Sequence, residues 1–413
     1  MIPTISIPLD IPEVKALRIE TNKAGDYIIT VESTLKSTKC HKCGREIHYL
    51  HGHDEEISLR HLPILGHKVY IRIRPKRYRC NHCSSRPTTT QRLSWYEPKS
   101  PHTTTHEEHV LLQMVNSTVQ DASIKEGLGY EAVMGIINRH IDTKVDWEQF
   151  KKLEILGLDE IALKKGYKHY VVIVTACTSD GQVVVLVVLP DRKKETVKQF
   201  LQTIPQRLRQ TIHTVCTDMY EGYVNAAKEV LGVAMVVIDR FHVAKNYREG
   251  VDALRKKELK RLKKELPEEA YKEIKGAMWA FRKNPANLEP KEVELLNRLF
   301  EYSPELKQAY TFREELTTIF KQDITKAEAI QQIEDWKESV TESGLSCFNS
   351  FLTTLKNWKD EITNYFVHRH TSGFVEGLNN KIKVLKRRCY GILNITHLFQ
   401  RLFLDLTGYH LFA

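Results

Sequence analysis

The chain has 413 residues, 41% hydrophobic and 28% charged, which at roughly 100–200 residues per domain means about two to four domains and excludes a single small module. Neither a disordered nor a collagenous chain has this composition, and the longest aliphatic run, Val183 to Leu189, falls far short of the ~20 residues that span a bilayer, so no membrane partner is expected. Lys and Arg total 62 against 52 Asp and Glu, a formal +10, which favours a polyanionic partner.

The start, MIPTISIPLDIPEV, lacks the basic and long apolar regions of a signal peptide, so a cytoplasmic protein with its eight cysteines reduced is expected. Four of them form two pairs, Cys40-x2-Cys43 and Cys80-x2-Cys83, the spacing that lets each pair grip one tetrahedral metal from a tight turn. Soft thiolates select zinc, and a full set of four leaves no open position for water, so Zn2+ here is expected to be structural. Two matched pairs disfavour a redox dithiol. Histidines crowd the same region from His41 to His82, and one of them is the alternative fourth ligand. Between the pairs, HKVYIRIRPKRYRC alternates Val69, Ile71 and Ile73 with Lys68, Arg72 and Arg74, which reads as a β-ribbon. Cys177, Cys216, Cys347 and Cys389 have no partner spacing and are expected to be small buried residues.

Residues 84–105, SSRPTTTQRLSWYEPKSPHTTT, look like a polar connector. Beyond them STVQDASIKEGLGYEAVMGIINRHI suggests one helix through Val119, Ala122 and Ile124, a break at Gly127 and Gly129, and a second helix with Tyr130, Val133, Ile136, Ile137 and Ile141 on one face. Helix, glycine turn, helix is the outline of a helix-turn-helix, although many helical hairpins share it without touching DNA. The second helix would offer Glu131, Asn138 and Arg139 to base edges.

From residue 153 the texture becomes short buried strands: LEILGLDEIAL, HYVVIVTACTS and QVVVLVVLP, then a helix, TIHTVCTDMY, a second helix, and AMVVIDRFH. Three antiparallel strands followed by helix-linked parallel ones outline an α/β ribonuclease H-like fold. Asp159 interrupts the first strand and Asp218 closes the fourth. An ionised group there is costly unless compensated, and strands lying side by side would let both carboxylates reach one Mg2+. Strand-end aspartates without a metal are the plainer reading. Over a hundred helical residues follow Asp239, including Trp279 in GAMWAFRKNP, where core packing is the usual role and base stacking the alternative. In TSGFVEGLNNKIKVLKRRCYGI, Glu376 opens a helix whose later turns carry Lys381, Lys383, Lys386, Arg387 and Arg388, an acid for the metal ahead of cations for phosphates. Basic tracts at Lys68–Arg79, Lys245–Lys264 and Lys381–Arg388 together point to nucleic acid, while any one alone reads equally as a solvated face.

Taken with the cysteine pairs, LGLDEIALKKG, CTDMYEGY, VIDRFHVAKNYREGVDALR and EGLNNKIKVLKRRCYG resemble the ISL-three (ISL3) family of bacterial insertion-sequence transposases over nearly the whole chain. The resemblance implies a zinc ribbon at 1–100, a helix-turn-helix at 101–150, and a ribonuclease H-like DDE domain at 151–244 and 371–413 around an all-helical insertion at 245–370. It further implies an acidic triad of Asp159, Asp218 and Glu376 holding Mg2+ or Mn2+, with Asp239 and His242 of Asp-x-x-His in support. Asp159 would bridge two metals, Asp218 hold one and Glu376 the other. The implied partners are double-stranded DNA, at element ends and target, and further copies of the chain, in the bacterial nucleoid. A DNA-binding regulator without catalysis, or a nuclease without strand transfer, is the alternative.

Overall fold

The computed structural model describes residues 9–163, 170–232, 234–369 and 373–413, and the side chains of 373–376 and 379 lie outside that description. The chain forms two compact units, Met1–Asp142 with Phe403–Ala413, and Thr143–Leu402. No helix of the described residues is long and apolar enough to cross a membrane.

The first unit begins with β1 (Val14–Thr21), β2 (Tyr27–Ser33), the short β3 (Thr38–Lys39) and β4 (Glu46–Ile47), β5 (Tyr49–His53), β6 (Ile57–Ile64), β7 (His67–Ile73), β8 (Lys76–Arg79) and β9 (Thr88–Thr90). They make a four-stranded sheet ordered β1-β2-β7-β6, a three-stranded sheet β5-β8-β9 and the hairpin β3-β4. In β7 the period-2 pattern does what it predicts: Val69, Ile71 and Ile73 are buried with Ile29, Val31 and Leu59. Leu93 and Trp95 join the same core, so the stretch expected to be a connector is packed structure. Its two large apolar side chains outweigh the polar residues around them.

Three helices follow, α1 (Thr104–Met114), α2 (Val119–Glu126) and α3 (Tyr130–His140). Thr118 and Asp121 cap α2 reciprocally, and Gly127 ends it in the left-handed region at φ 60°. Val110, Leu111, Met114, Ala122, Val133, Ile136 and Ile137 share one core with Leu404. Ile124 and Tyr130, expected inward, are 70% and 47% exposed. Tyr130 is the first residue of its helix, and a helical side chain leans towards the preceding turn, which here does not exist. Buried Glu107 on α1 ties the unit together: Ser100 Oγ donates to it at 2.6 Å, His140 Nε2 lies 2.7 Å away, and the Arg139 guanidinium forms an ion pair with it. Burial works to raise its carboxyl, but His102 at 3.7 Å and the hydrogen bonds from His140, Arg139 and Ser100 outweigh it and hold the group well below the carboxylate range.

The second unit is built on β10 (Ile155–Ala162), β11 (Tyr170–Cys177), β12 (Val183–Leu189), β13 (Thr214–Thr217) and β14 (Met235–Ile238), in the order β12-β11-β10-β13-β14. β10 runs antiparallel to β11 and parallel to β13, and β13 is parallel to β14. The connections are α4 (Lys194–Thr203) and α5 (Gln206–Arg209), split at Pro205, and α6 (Glu221–Leu231). The helical stretch opens with α7 (Arg240–Glu265) and continues with α8 (Glu268–Glu273), α9 (Ala277–Arg282), α10 (Pro290–Tyr302), α11 (Pro304–Ile319), α12 (Lys326–Glu342), α13 (Asn349–Thr363) and α14 (Tyr365–His368). Phe281, Leu299, Leu316, Ile333, Phe348 and Phe351 fill its interior. A Cβ at Gly250 would lie 2.0 Å from the Cys347 carbonyl, so α7 can pass that close only with glycine. α15 (Gly373–Arg388) and α16 (Ile395–Phe412) close the chain, and from Phe403 onward α16 belongs to the first unit, whereas the sequence pattern assigned all of 371–413 to the catalytic domain.

Leu404 is fully buried in the core of α1–α3 and Asp405 Oδ1 accepts the Asn116 N–H at 3.0 Å. Leu404→Ala is therefore expected to destabilise the first unit by about 2–5 kcal/mol. Hydrogen exchange should show the amides of α1 and α3 losing protection while those of β11 keep theirs.

Candidate active site

Strand register sets the site. The last parallel rung between β10 and β13 is Leu158↔Thr217, and the last between β13 and β14 is Thr217↔Ile238. The next residues are Asp159, Asp218 and Asp239, so three adjacent strands carry an aspartate at one level, β13 and β14 ending there while β10 runs on to Ala162, with neighbouring strands about 4.8 Å apart. The carboxyl ends of parallel strands are where open α/β sheets take ligands. Asp159 is 9% exposed and its Oδ1 accepts the Glu160 N–H at 2.7 Å. Asp239 is engaged elsewhere. Its carboxylate caps α7 by accepting the Phe241 N–H at 3.0 Å, and its own N–H donates to Thr217 O at 2.8 Å.

Burial pushes the Asp218 carboxyl up to about 6, the charges of Glu160 and Asp159 adding to the rise and those of His242 and Arg192 opposing it. Asp218 Oδ1 is buried and has no hydrogen-bond donor among the described residues. A hard oxygen donor left bare beside a second carboxylate suits a divalent cation such as Mg2+. Around it stand residues that the sequence pattern did not single out. Glu160 pairs with Arg192 at 3.4 Å, Arg192 lies over the rings of Tyr170 and Tyr220, and the Tyr223 hydroxyl is buried without a partner among the described residues. The doubled acid Asp159-Glu160 and the two tyrosines behind Asp218 were the available signals.

The four paired cysteines form the other centre. Their sulfurs all lie within 4.8 Å of one another, with Cys43 Sγ and Cys80 Sγ 3.7 Å apart. Two ligands of a tetrahedral zinc with ~2.3 Å bonds are about 3.8 Å apart. Each pair sits on a tight turn, closed by Gly44 N–H to Cys40 O and Arg86 N–H to Cys83 O, both 2.9 Å. The N–H groups of Cys43 and Lys42 hold the Cys40 thiol down to about 6, ready to ligate as thiolate.

The Glu376 side chain lies outside the described residues; its backbone is in the first turn of α15. Later on that helix the Lys386 ammonium donates to the Ala162 carbonyl at the end of β10, so this cation braces the helix against the strand of Asp159. Lys383 and Arg387 are exposed, and Lys381 and Arg388 half-buried. On α3, Glu131 and Asn138 are exposed, while Arg139 spends its guanidinium on Glu107. Trp279, for which core packing was the usual role, is 64% exposed. Of the unpaired cysteines only Cys216 is fully buried. Four of the nine cations of Lys245–Lys264 are neutralised, Lys245 pairing with Glu249, Arg255 and Lys256 with Asp252, and Arg261 with Glu258 and Glu265.

Two measurements check this chemistry. A carboxyl held above its unfolded value near 3.8 favours the native state while protonated, so that contribution is lost as pH rises through about 6. In EDTA, Asp218→Asn should therefore raise stability at pH 7 by up to about 3 kcal/mol and leave it little changed at pH 4, read from thermal unfolding. At the other centre, wild-type protein should hold one zinc by elemental analysis and release it on acidification, as protons compete with the metal for the thiolates. Cys80→Ser should hold none at any pH.

Comparison with known proteins places the chain in a family. The chain is 28% identical to the transposase for insertion sequence element IS1001 of Bordetella parapertussis, over 91% of this chain and 90% of that protein. It is 22% identical to the transposase for insertion sequence element IS1557 of Mycobacterium tuberculosis, over 90% and 86%. Among solved structures it aligns with the Drosophila P element transposase strand transfer complex at 11% identity and a TM-score of 0.40, covering 73% of this chain and 91% of that one. The model described as the zinc-finger of transposase IS204/IS1001/IS1096/IS1165 matches residues 36–83, around the four thiols. Because the ISL3 transposase model covers residues 156–402, from the strand of Asp159 through the basic helix α15, the chain belongs to the ISL3 family of insertion-sequence transposases.

Proposed function

We propose that this protein binds the terminal inverted repeats of an insertion sequence and catalyses DNA cleavage and strand transfer from a ribonuclease H-like DDE site. The observation that carries the reading is the pair Asp159 and Asp218 at one level of adjacent parallel strands, just past their last shared rung, with Asp218 Oδ1 buried and lacking a donor among the described residues. Asp159, Asp218 and Glu376 are the residues that would hold Mg2+ or Mn2+. When bound, such a metal pair activates the attacking oxygen and stabilises the departing 3′-oxygen. Water attack at the element end frees a 3′-hydroxyl, and that hydroxyl attacks a target phosphodiester in line. No protein nucleophile is required.

The surrounding residues have separate roles. His242, in the first turn of α7, offsets the charge of Asp218, and Asp239 holds the start of that helix. Capping by Asp239 supports Glu376 as the third acid. The zinc ribbon and the α2–α3 pair recognise the ends: phosphate contacts set register, and Glu131 and Asn138 face base edges. Arg139 serves that surface indirectly, through Glu107. Lys381, Lys383, Arg387 and Arg388 hold phosphates, with Lys386 bracing their helix. Trp279, exposed, can stack on an unpaired base. Pairing two element ends calls for at least two copies of the chain.

The test is incubation of the purified protein with a plasmid carrying the inverted repeats that flank its gene, in Mg2+, in EDTA, and with Asp159→Ala, Asp218→Ala or Glu376→Ala. Metal-dependent breaks at the ends are expected, each variant cutting at least about 1,000-fold slower, a loss of roughly 4 kcal/mol of transition-state stabilisation, while still shifting end DNA in a gel. Tight end binding without cutting in any metal would instead favour a DNA-binding regulator. Retention of cutting in Glu376→Ala but not in Asp239→Ala would transfer the third role to Asp239.

A further inference from the structure

The loop between β12 and α4 brings one cation to the carboxylate end of the sheet, and its fixing is elaborate. Asp191 Oδ1 accepts the Lys193 N–H at 2.9 Å and the Thr196 hydroxyl at 2.7 Å, which joins the loop to the first turn of α4. The Arg192 guanidinium then lies over the Tyr170 ring at 5.4 Å and the Tyr220 ring at 5.2 Å. Its flat, weakly hydrated face suits such stacking. Tyr220 can take up that position because residue 222 is glycine: a Cβ there would sit 2.5 Å from the Tyr220 ring.

The two rings hold the guanidinium in place while nearly half of its side chain stays exposed. Among the described residues its hydrogen bond is a single long one, 3.4 Å to Glu160 Oε2, and its side chain is 48% exposed. Five N–H donors are therefore served by one weak acceptor. The neighbourhood has a second unsatisfied donor, the Tyr223 hydroxyl, on a side chain with no exposed surface. Burial, with Glu160 and Asp218 adding to it, pushes that phenol up, so it keeps its proton. A buried donor without an acceptor forfeits its hydration and gains nothing in exchange. The half-exposed guanidinium and this buried hydroxyl lie beside Asp218, where an anion with several acceptor oxygens would suit both.

We propose that Arg192 holds a phosphodiester of the DNA next to the one being cut, its guanidinium edge taking both non-bridging oxygens, with the Tyr223 hydroxyl donating to a water ordered against the same phosphate. The proposal rests on reading Asp159 and Asp218 as the cleaving carboxylates. In that role Arg192 is a positioning residue: it sets the strand in line with the carboxylates and takes no part in bond making or breaking. A bidentate contact of this kind contributes through geometry as well as charge.

The experiment measures DNA affinity in Ca2+ and in EDTA, using the full chain and end duplexes that each carry one uncharged methylphosphonate at a successive position around the cleavage junction. In wild type, one position beside the junction is expected to weaken binding about tenfold, the size of a lost charge-assisted hydrogen bond. In Arg192→Gln the same position should make no difference while all others behave as in wild type. Arg192→Lys should keep part of the penalty, and Tyr223→Phe should shrink it. An unchanged penalty in Arg192→Gln, or no sensitive position in wild type, overturns the proposal. Melting curves matching wild type identify the loss as local, and Arg192→Lys replaces the Gln variant if they do not match. Failure of the catalytic reading is separate: wild type would then show the sensitive phosphate but never cut in Mg2+.

Discussion

Two carboxylates lie one strand apart on the inner strands of an apolar sheet, and the residues around them answer to the cost of charging both. Asp159 and Asp218 follow directly on the last rung shared by β10 and β13, and each raises the energy of the other's ionised form. Two cations reduce the penalty. His242 comes from the start of α7, which Asp239 holds in place, and Arg192 comes from the loop before α4. Neither closes on Asp218 as a salt bridge among the described residues, so part of that cost stays uncompensated by the protein's own side chains.

The first unit solves the opposite problem. Its metal-binding part has strands of two residues and a core of little more than Cys40, Ile47, Tyr78 and Cys80, too small to stand on burial alone. Thiolates supply there what apolar area supplies elsewhere. The adjoining three helices use a third device, a buried carboxylate that four neighbours keep ionised. Removing Glu107 would leave Arg139 and His140 without their counter-charge and alter the face of α3 from beneath.

Local patterns that a short window can hold were readable in the sequence. The cysteine spacing, the period-2 run of β7, the glycine break between α2 and α3, and the five strands from Ile155 to Ile238 are all of this kind. So were Asp159 and Asp218, because an acid in an apolar strand is conspicuous. What escaped depends on distance. Arg139 looks like any solvent-facing cation until Glu107, 32 residues earlier, folds beneath it. Arg192 sits in an ordinary basic loop, and only the fold brings Tyr170 and Tyr220 beside it. Leu93 and Trp95 are diluted by polar neighbours, and the exposure of Trp279 cannot be told from helical spacing, which reports one face but not whether another helix covers it.

The placing of Leu404 among residues 110–137, and of Asp405 against Asn116 across 289 positions of chain, orders events during synthesis. Helices α1 to α3 emerge early from the ribosome, but a fully buried leucine of their core arrives after nearly everything else has been made. Synthesis at ~5–20 residues per second puts about 15–60 seconds between the two. Until then this core is incomplete, and the three helices must wait for a residue made long after them before they can pack fully.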